Sequence, residues 1–182
     1  MRSIRIPSDR VGALVGKDGS SKKMIEERTG IKLQIDKEGE VVYDDNAEGV
    51  EPIMALQIMD VIKAVGRGFN PDKAMKLLDD DDMYFESIDI KDVIGDRQNQ
   101  VVRARGRLIG KDGKTRKLIE DLADVYMSVY GNTVSLIGNS ISLPIAKNAI
   151  EMLLHGSEHS TVYHYLESQR PKLRIAEMGF DL

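Results

Sequence analysis

A ten-residue passage occurs twice, as LVGKDGSSKK from Leu14 to Lys23 and as LIGKDGKTRK from Leu108 to Lys117, with the copies 94 positions apart. In a chain of 182 residues such a repeat favours two copies of one small unit, each closing around its own core. Both passages carry Gly-Lys-Asp-Gly ahead of basic residues. Glycine has no Cβ, so a Gly-x-x-Gly turn lets another group come close to the backbone. A helix starting at the second glycine aims its unpaired N–H groups and positive dipole end at the same place. Lys17, Lys22 and Lys23 add positive charge in the first copy, and Lys111, Lys114, Arg116 and Lys117 in the second. The expected ligand is an anion.

Two phosphate-binding devices compete for this pattern. A nucleotide P-loop needs Gly-x-x-x-x-Gly-Lys followed by Ser or Thr, whose hydroxyl holds magnesium. The spacings Gly12 to Gly16 and Gly106 to Gly110 are one residue short, and Asp18 and Asp112 stand where the hydroxyl belongs. The KH module instead joins two helices through a Gly-x-x-Gly loop that clamps the backbone of about four nucleotides of single-stranded nucleic acid. Both copies fit that description.

Charge places the contact locally. The net charge is −4, which argues against indiscriminate coating of nucleic acid. Between Arg103 and Lys117, however, seven basic residues face one acid, Asp112; between Arg10 and Arg28 five face Asp18, Glu26 and Glu27. The second loop is expected to grip phosphate more strongly. With no cysteine there is neither a disulfide nor a Cys-based metal site, and the three histidines, His155, His159 and His164, lack a supporting ligand pattern for zinc. No metal and no cofactor are expected. The polar start and the absence of an apolar run of about twenty residues point to a cytoplasmic protein away from membranes. No Trp and only three Phe leave no stacking platform of the RRM kind, so bases would rest on aliphatic side chains.

Periodicity gives the element order. Ile4 and Ile6 alternate with polar residues up to Pro7, and a short helix is expected over Arg10 to Val15. After the loop come a helix from Ser20 to Arg28, with Met24, Ile25 and Arg28 inward, strands at Ile31 to Ile35 and Val41 to Tyr43, and a helix from Pro52. The same order returns in the second copy: a strand at Tyr84 to Ile90, a longer first helix within Gly95 to Ile109, a helix burying Leu118, Ile119 and Leu122, strands at Val125 to Val129 and Val134 to Ile137, and a helix from Pro144. A connecting helix over Pro71 to Leu78 leads into the acidic run Asp79 to Asp82. A last helix is expected over Thr161 to Gln169, stopped by Pro171, with a loose tail beyond. The expected division is a first KH domain over 1–66, a helical acidic linker over 67–82, a second KH domain over 83–155, and a C-terminal helix and tail over 156–182.

The chain resembles type I KH domains, whose order is βααββα. This implies an α+β protein of two tandem domains, each a three-stranded antiparallel sheet packed by three helices. It is similar in particular to the archaeal and eukaryotic small-subunit ribosome assembly factors called Dim-two, or partner of Nob-one. The passages that carry the likeness are GRGFNPDKAMKLLDDDD, ARGRLIGKDGKTRKLIEDL, VYGNTVSLIGN and AIEMLLHGSEHSTVY, at Gly66–Asp82, Ala104–Leu122, Val129–Asn139 and Ala149–Tyr163. The resemblance implies binding of single-stranded ribosomal RNA near the 3′ end of the small-subunit RNA, beside a processing endonuclease and without catalysis. Eukaryotic members lack the first Gly-x-x-Gly, whereas Gly16 and Gly19 keep it here. Whether the first loop takes RNA, a protein or nothing stays open.

The residues assigned to RNA follow. Gly16, Gly19, Gly110 and Gly113 give close approach, with an ordinary interhelical turn as the alternative. Lys17 and Lys111 contact phosphate, and Lys22, Lys23, Lys114, Arg116 and Lys117 attract it, with Thr115 assigned alongside them. Asp18 and Asp112 are expected to cap the following helices. Leu14, Val15, Leu108 and Ile109 floor a groove for bases or belong to the core, and Arg97, Arg103, Arg105 and Arg107 extend the track, face a protein or simply solvate the surface. The competing functions are a phosphate-loop hydrolase, a KH-based protein scaffold and a general RNA-binding factor associated with translation.

Overall fold

The computed structural model describes residues 1–179. The chain divides into two compact units, Met1–Met83 and a second beginning at Tyr84.

In the first unit, β1 (Arg2–Arg5) stops short of Pro7, and a 3-10 turn over Ser8–Arg10 leads into α1 (Val11–Val15). The Gly-Lys-Asp-Gly turn then opens α2 (Ser20–Thr29), which Gly30 stops in a left-handed conformation. β2 (Leu33–Ile35) and β3 (Glu40–Tyr43) form a hairpin, and α3 (Pro52–Gly66) crosses behind it. The antiparallel sheet has the order β1-β3-β2, with Ile4 opposite Val41 and Leu33 opposite Tyr43. Leu14, Ile25, Ile31, Val41, Ile58 and Ile62 are fully buried, so the apolar faces of α1, α2 and α3 meet one face of the sheet. Arg28, expected to lean inward, is exposed; Thr29 is buried in its place and its hydroxyl donates to the Ile25 carbonyl at 2.8 Å.

The segment after α3 holds α4 (Pro71–Ala74) and a 3-10 turn, Met75–Leu78. Asn70 caps α4 through Oδ1, which accepts from the Lys73 N–H at 2.8 Å. Ala74, Leu77 and Leu78 are buried, and the Gln57 amide on α3 donates to the Leu77 carbonyl. Residues 67–82 therefore pack within the first unit, where the sequence suggested a linker. Ala74, Leu77 and Leu78 share the i, i+3, i+4 spacing of one helical face, and it is the acidic run after them that made this helix read as a linker.

In the second unit, β4 (Tyr84–Asp89) leads into α5 (Ile90–Ile94) and α6 (Gln98–Ile109), separated at Gly95 with φ +88°. The turn opens α7 (Lys114–Ala123), followed by β5 (Tyr126–Tyr130), β6 (Thr133–Gly138), α8 (Ser142–Leu154) and α9 (His159–Glu177). The sheet order β4-β6-β5 repeats that of the first unit. α6, α7 and α8 answer to α1, α2 and α3, and the unit adds α5 and α9. α8 begins two residues before Pro144 because Asn139 Oδ1 accepts from the Ile141 and Ser142 N–H groups.

α9 does not stop at Pro171, which lies inside it. Leu173, beyond the proline, is buried, and Arg170 Nη1 donates to the Asp121 carbonyl at 3.1 Å. A proline within a helix costs about 3 kcal/mol, which burying a leucine at about 1.5–3 kcal/mol and an added hydrogen bond offset. Of the expected loose tail, residues 180–182 lie outside the described residues. No helix among the described residues is long and apolar enough to cross a membrane.

Candidate nucleic-acid interface

The two turns repeat each other in backbone geometry. Gly16 has φ +76°, ψ 174° and Gly110 has φ +73°, ψ 175°, a region only glycine occupies readily. Gly19 and Gly113 are left-handed at φ +75°. Each first glycine donates back to the helix before it, Gly16 to the Gly12 carbonyl and Gly110 to the Gly106 carbonyl, both at 2.8 Å.

The first and second glycines of each turn have different reasons to be glycine. A Cβ on Gly16 would stand 2.3 Å from the Ser21 hydroxyl, and one on Gly110 would stand 2.2 Å from that of Thr115. These first glycines admit the N-terminal turn of the next helix rather than a ligand. Around Gly19 the space is open, and around Gly113 only the tip of Arg116 comes within 4 Å. The second glycine is thus where an outside group can reach the backbone.

Asp18 and Asp112 do not cap the following helices. The caps are Gly19 and Gly113, with no side-chain cap hydrogen bond in either. Both aspartates sit at positive φ, +52° and +54°, and are exposed. Aspartate tolerates that conformation better than most residues, which gives it a place here without a capping bond. The first-turn N–H groups of α2 and α7 consequently carry no side-chain acceptor.

The basic residues fall into two sets. Lys17, Lys111, Lys114, Lys117 and Arg103 are exposed with no ion pair among the described residues. Lys22 pairs with Glu26 at 3.7 Å, Lys23 with Glu27 at 3.8 Å, and Arg116 with Glu120. One uncompensated lysine thus serves the first loop and three the second. Lys111, Asp112, Lys114, Lys117, Leu118 and Asp121 line an open cleft of about 460 Å³ beside the second loop.

Three assigned residues are placed otherwise than expected. Thr115 is 4% exposed, its hydroxyl taken by Tyr163, so it stands behind the loop. Arg107 donates to the carbonyls of Leu153 and Ser157 at the end of α8, which removes it from an open track. Arg10 does the same in the first unit, donating to Val65 and Phe69 at the end of α3. Arg105 is half-buried, and its Nε is buried without a hydrogen-bond partner. Val15 and Ile109 are half-buried at the mouth of each turn, whereas Leu14 and Leu108 belong fully to the core.

A pair of residues that sequence reasoning passed over holds the loop helices to the sheets. Glu26 accepts from the Leu33 N–H at 2.8 Å, and Glu120 from the Met127 N–H at 3.2 Å, while each also pairs with a basic residue one turn back. They are 94 residues apart, so the repeat offset could have marked them. Among the described residues no cluster could hold a metal ion.

Two βααββα units, each with a Gly-Lys-Asp-Gly turn between the helices, define a tandem type I KH protein. Residues 84–171 match the model of the eukaryotic type KH-domain (KH-domain type I), and residues 1–49 that of the KH domain. The chain is 44% identical over 173 residues to KH domain-containing protein MJ0443 of Methanocaldococcus jannaschii, covering 95% of this chain and 75% of that protein. It is 36% identical over 116 residues to the pre-rRNA-processing protein pno1 of Aspergillus fumigatus, covering 63% of this chain and 46% of that one. A chain in the crystal structure of the a/eIF2alpha-aDim2p-rRNA complex from Pyrococcus horikoshii OT3 matches with a TM-score of 0.86 and 42% identity, over 94% of both chains. The chain belongs to the Dim2/Pno1 family of KH-domain proteins.

Proposed function

We propose that this chain binds single-stranded ribosomal RNA near the 3′ end of the small-subunit RNA, as a cytoplasmic assembly factor that places RNA beside a processing endonuclease and does no chemistry itself. The observation that carries the reading is the second turn. Its left-handed Gly113 leaves the backbone open, the first turn of α7 lacks a side-chain cap, and Lys111, Lys114 and Lys117 stand around it without carboxylate partners. Phosphate meets donors and cations there together. The half-buried Ile109, at the end of α6 beside the turn, supplies an apolar surface for a base. The pre-rRNA-processing name of the fungal relative and the rRNA in the archaeal complex support the choice of RNA.

The first loop has a different balance. Lys22 and Lys23 are neutralised by Glu26 and Glu27, which favours a lesser phosphate role or a protein contact for that unit. The experiment compares single-stranded 3′-terminal small-subunit rRNA with a scrambled strand of equal length, alongside a nucleotide-hydrolysis assay. Preference for the first RNA and no turnover is the expected result. Equal binding of both strands overturns the assignment to ribosomal RNA, and turnover overturns the non-catalytic reading.

A further inference from the structure

The first two turns of α9 reach the second Gly-Lys-Asp-Gly loop and the helices on either side of it. Tyr163 donates its hydroxyl hydrogen to Thr115 Oγ1 at 3.2 Å. Thr115 is the residue whose side chain fills the space beside Gly110. One helical turn before Tyr163, the His159 ring meets the Arg107 carbonyl through Nε2 at 3.0 Å. A carbonyl only accepts, so Nε2 carries the proton. That carbonyl belongs to the last turn of α6, where backbone acceptors have no partner within the helix. The Arg107 guanidinium meanwhile grips the Leu153 and Ser157 carbonyls on either side of the turn that leads into α9. The helix before the loop and the helix after it are thus both tied to one face of α9.

The first unit has the same loop without this backing. Ser21 fills the place of Thr115 beside Gly16, and no residue answers to Tyr163 or His159, because that unit's described elements include no counterpart of α9. The two loops share dihedral angles yet differ in what holds them.

We propose that Tyr163 and His159 are positioning residues for the second loop: through Thr115 and the Arg107 carbonyl they hold Gly110–Gly113 and the start of α7 in the geometry that takes phosphate, without touching RNA themselves. This rests on the RNA-binding reading of that loop. A KH loop offers few contacts, and its affinity depends on N–H groups already aimed at the ligand. Freeing one anchor costs the ordering that the loop then undergoes on binding.

The test uses the full chain with Tyr163→Phe, Thr115→Val, Thr115→Ser and the double variant Tyr163→Phe/Thr115→Val. The probe is single-stranded 3′-terminal small-subunit rRNA, and the readouts are affinity, its salt dependence, thermal unfolding and amide exchange over residues 110–116. The proposal expects Tyr163→Phe to weaken RNA binding about three- to tenfold, the equivalent of one hydrogen bond. Its unfolding temperature should fall by no more than the few degrees that one lost hydrogen bond accounts for, the salt slope should be unchanged, and loop amides should exchange faster. Thr115→Ser keeps an acceptor and should restore affinity, and the double variant should bind like either single one. Parent-like affinity in Tyr163→Phe, unchanged loop exchange, or a reduced salt slope overturns the positioning role. A parent chain that binds no RNA refutes the RNA-binding reading instead, and amide exchange alone then decides whether Tyr163 steadies the loop.

Discussion

At Gly110 an added Cβ would sit 2.2 Å from the Thr115 hydroxyl and 2.7 Å from its backbone nitrogen, whereas at Gly113 the nearest atom is 3.6 Å away. Both glycines have positive φ, so alanine strains the backbone at either, but only at Gly110 does it also collide with backbone. Gly110→Ala should destabilise the second unit by about 2–4 kcal/mol and Gly113→Ala by about 1 kcal/mol, read from urea unfolding. Equal costs would contradict the division of labour between them. Asp124 ends α7 at φ +56°, where Gly30 ends α2 at φ +74°. Asp124→Gly should therefore stabilise the second unit by about 0.5–1 kcal/mol, and a loss on the same measurement would show that the aspartate has a compensating contact. Burial pushes the Asp60 carboxyl up from its ordinary value, with Lys63 pulling the other way. A raised carboxylate pKa means the fold favours the protonated form, so that contribution is present at low pH and lost as pH rises through the folded value. Asp60→Asn should raise the unfolding temperature at pH 7, and the gain should vanish below about pH 4. A gain that persists in acid would place its origin in packing rather than charge. The residues of the loop were legible in the sequence because only glycine or a tolerant aspartate fits such dihedrals; the role of the aspartate was not, because capping and left-handed backbone favour the same residue type.

Among the elements, the strands, the loop helices and the long helices α3 and α8 were readable from alternation, from helical stripes and from Gly and Pro punctuation. Each depends on contacts that recur at short range in the sequence. α9 was not readable beyond Pro171, because what carries it through is the burial of Leu173 and the bond from Arg170 to the Asp121 carbonyl, 49 residues away in the chain. The packing of Ala74, Leu77 and Leu78 in the first unit was hidden in the same way, since its partner, α3, precedes a turn that resembles a boundary. A chain ending at Gln169 should lose about 2–3 kcal/mol of stability in the second unit relative to the full chain, from the exposed leucine site. Unchanged stability would mean that the last turns of α9 only ride on the surface. The Arg107 and Arg10 side chains show the same limit of a charge count: both read as loop cations, and both are spent on the carbonyls that end a long helix.

For the whole molecule, two modules on one chain raise the effective concentration of the second once the first is bound. A net charge of −4 confines that binding to the places where lysines stand unpaired. Three such lysines surround the second loop and one the first, so the second unit should carry most of the affinity. If about three to five phosphates are neutralised, the log–log salt slope on a single strand should be roughly −2 to −3.5. The most direct measurement is the affinity of the full chain for single-stranded 3′-terminal small-subunit rRNA across a salt series, beside Lys111→Asp and Lys17→Asp. Lys111→Asp should lose about tenfold or more in affinity and flatten the slope by roughly one unit, while Lys17→Asp should lose clearly less. Equal losses, or a larger loss at Lys17, would contradict the assignment of the RNA grip to the second loop.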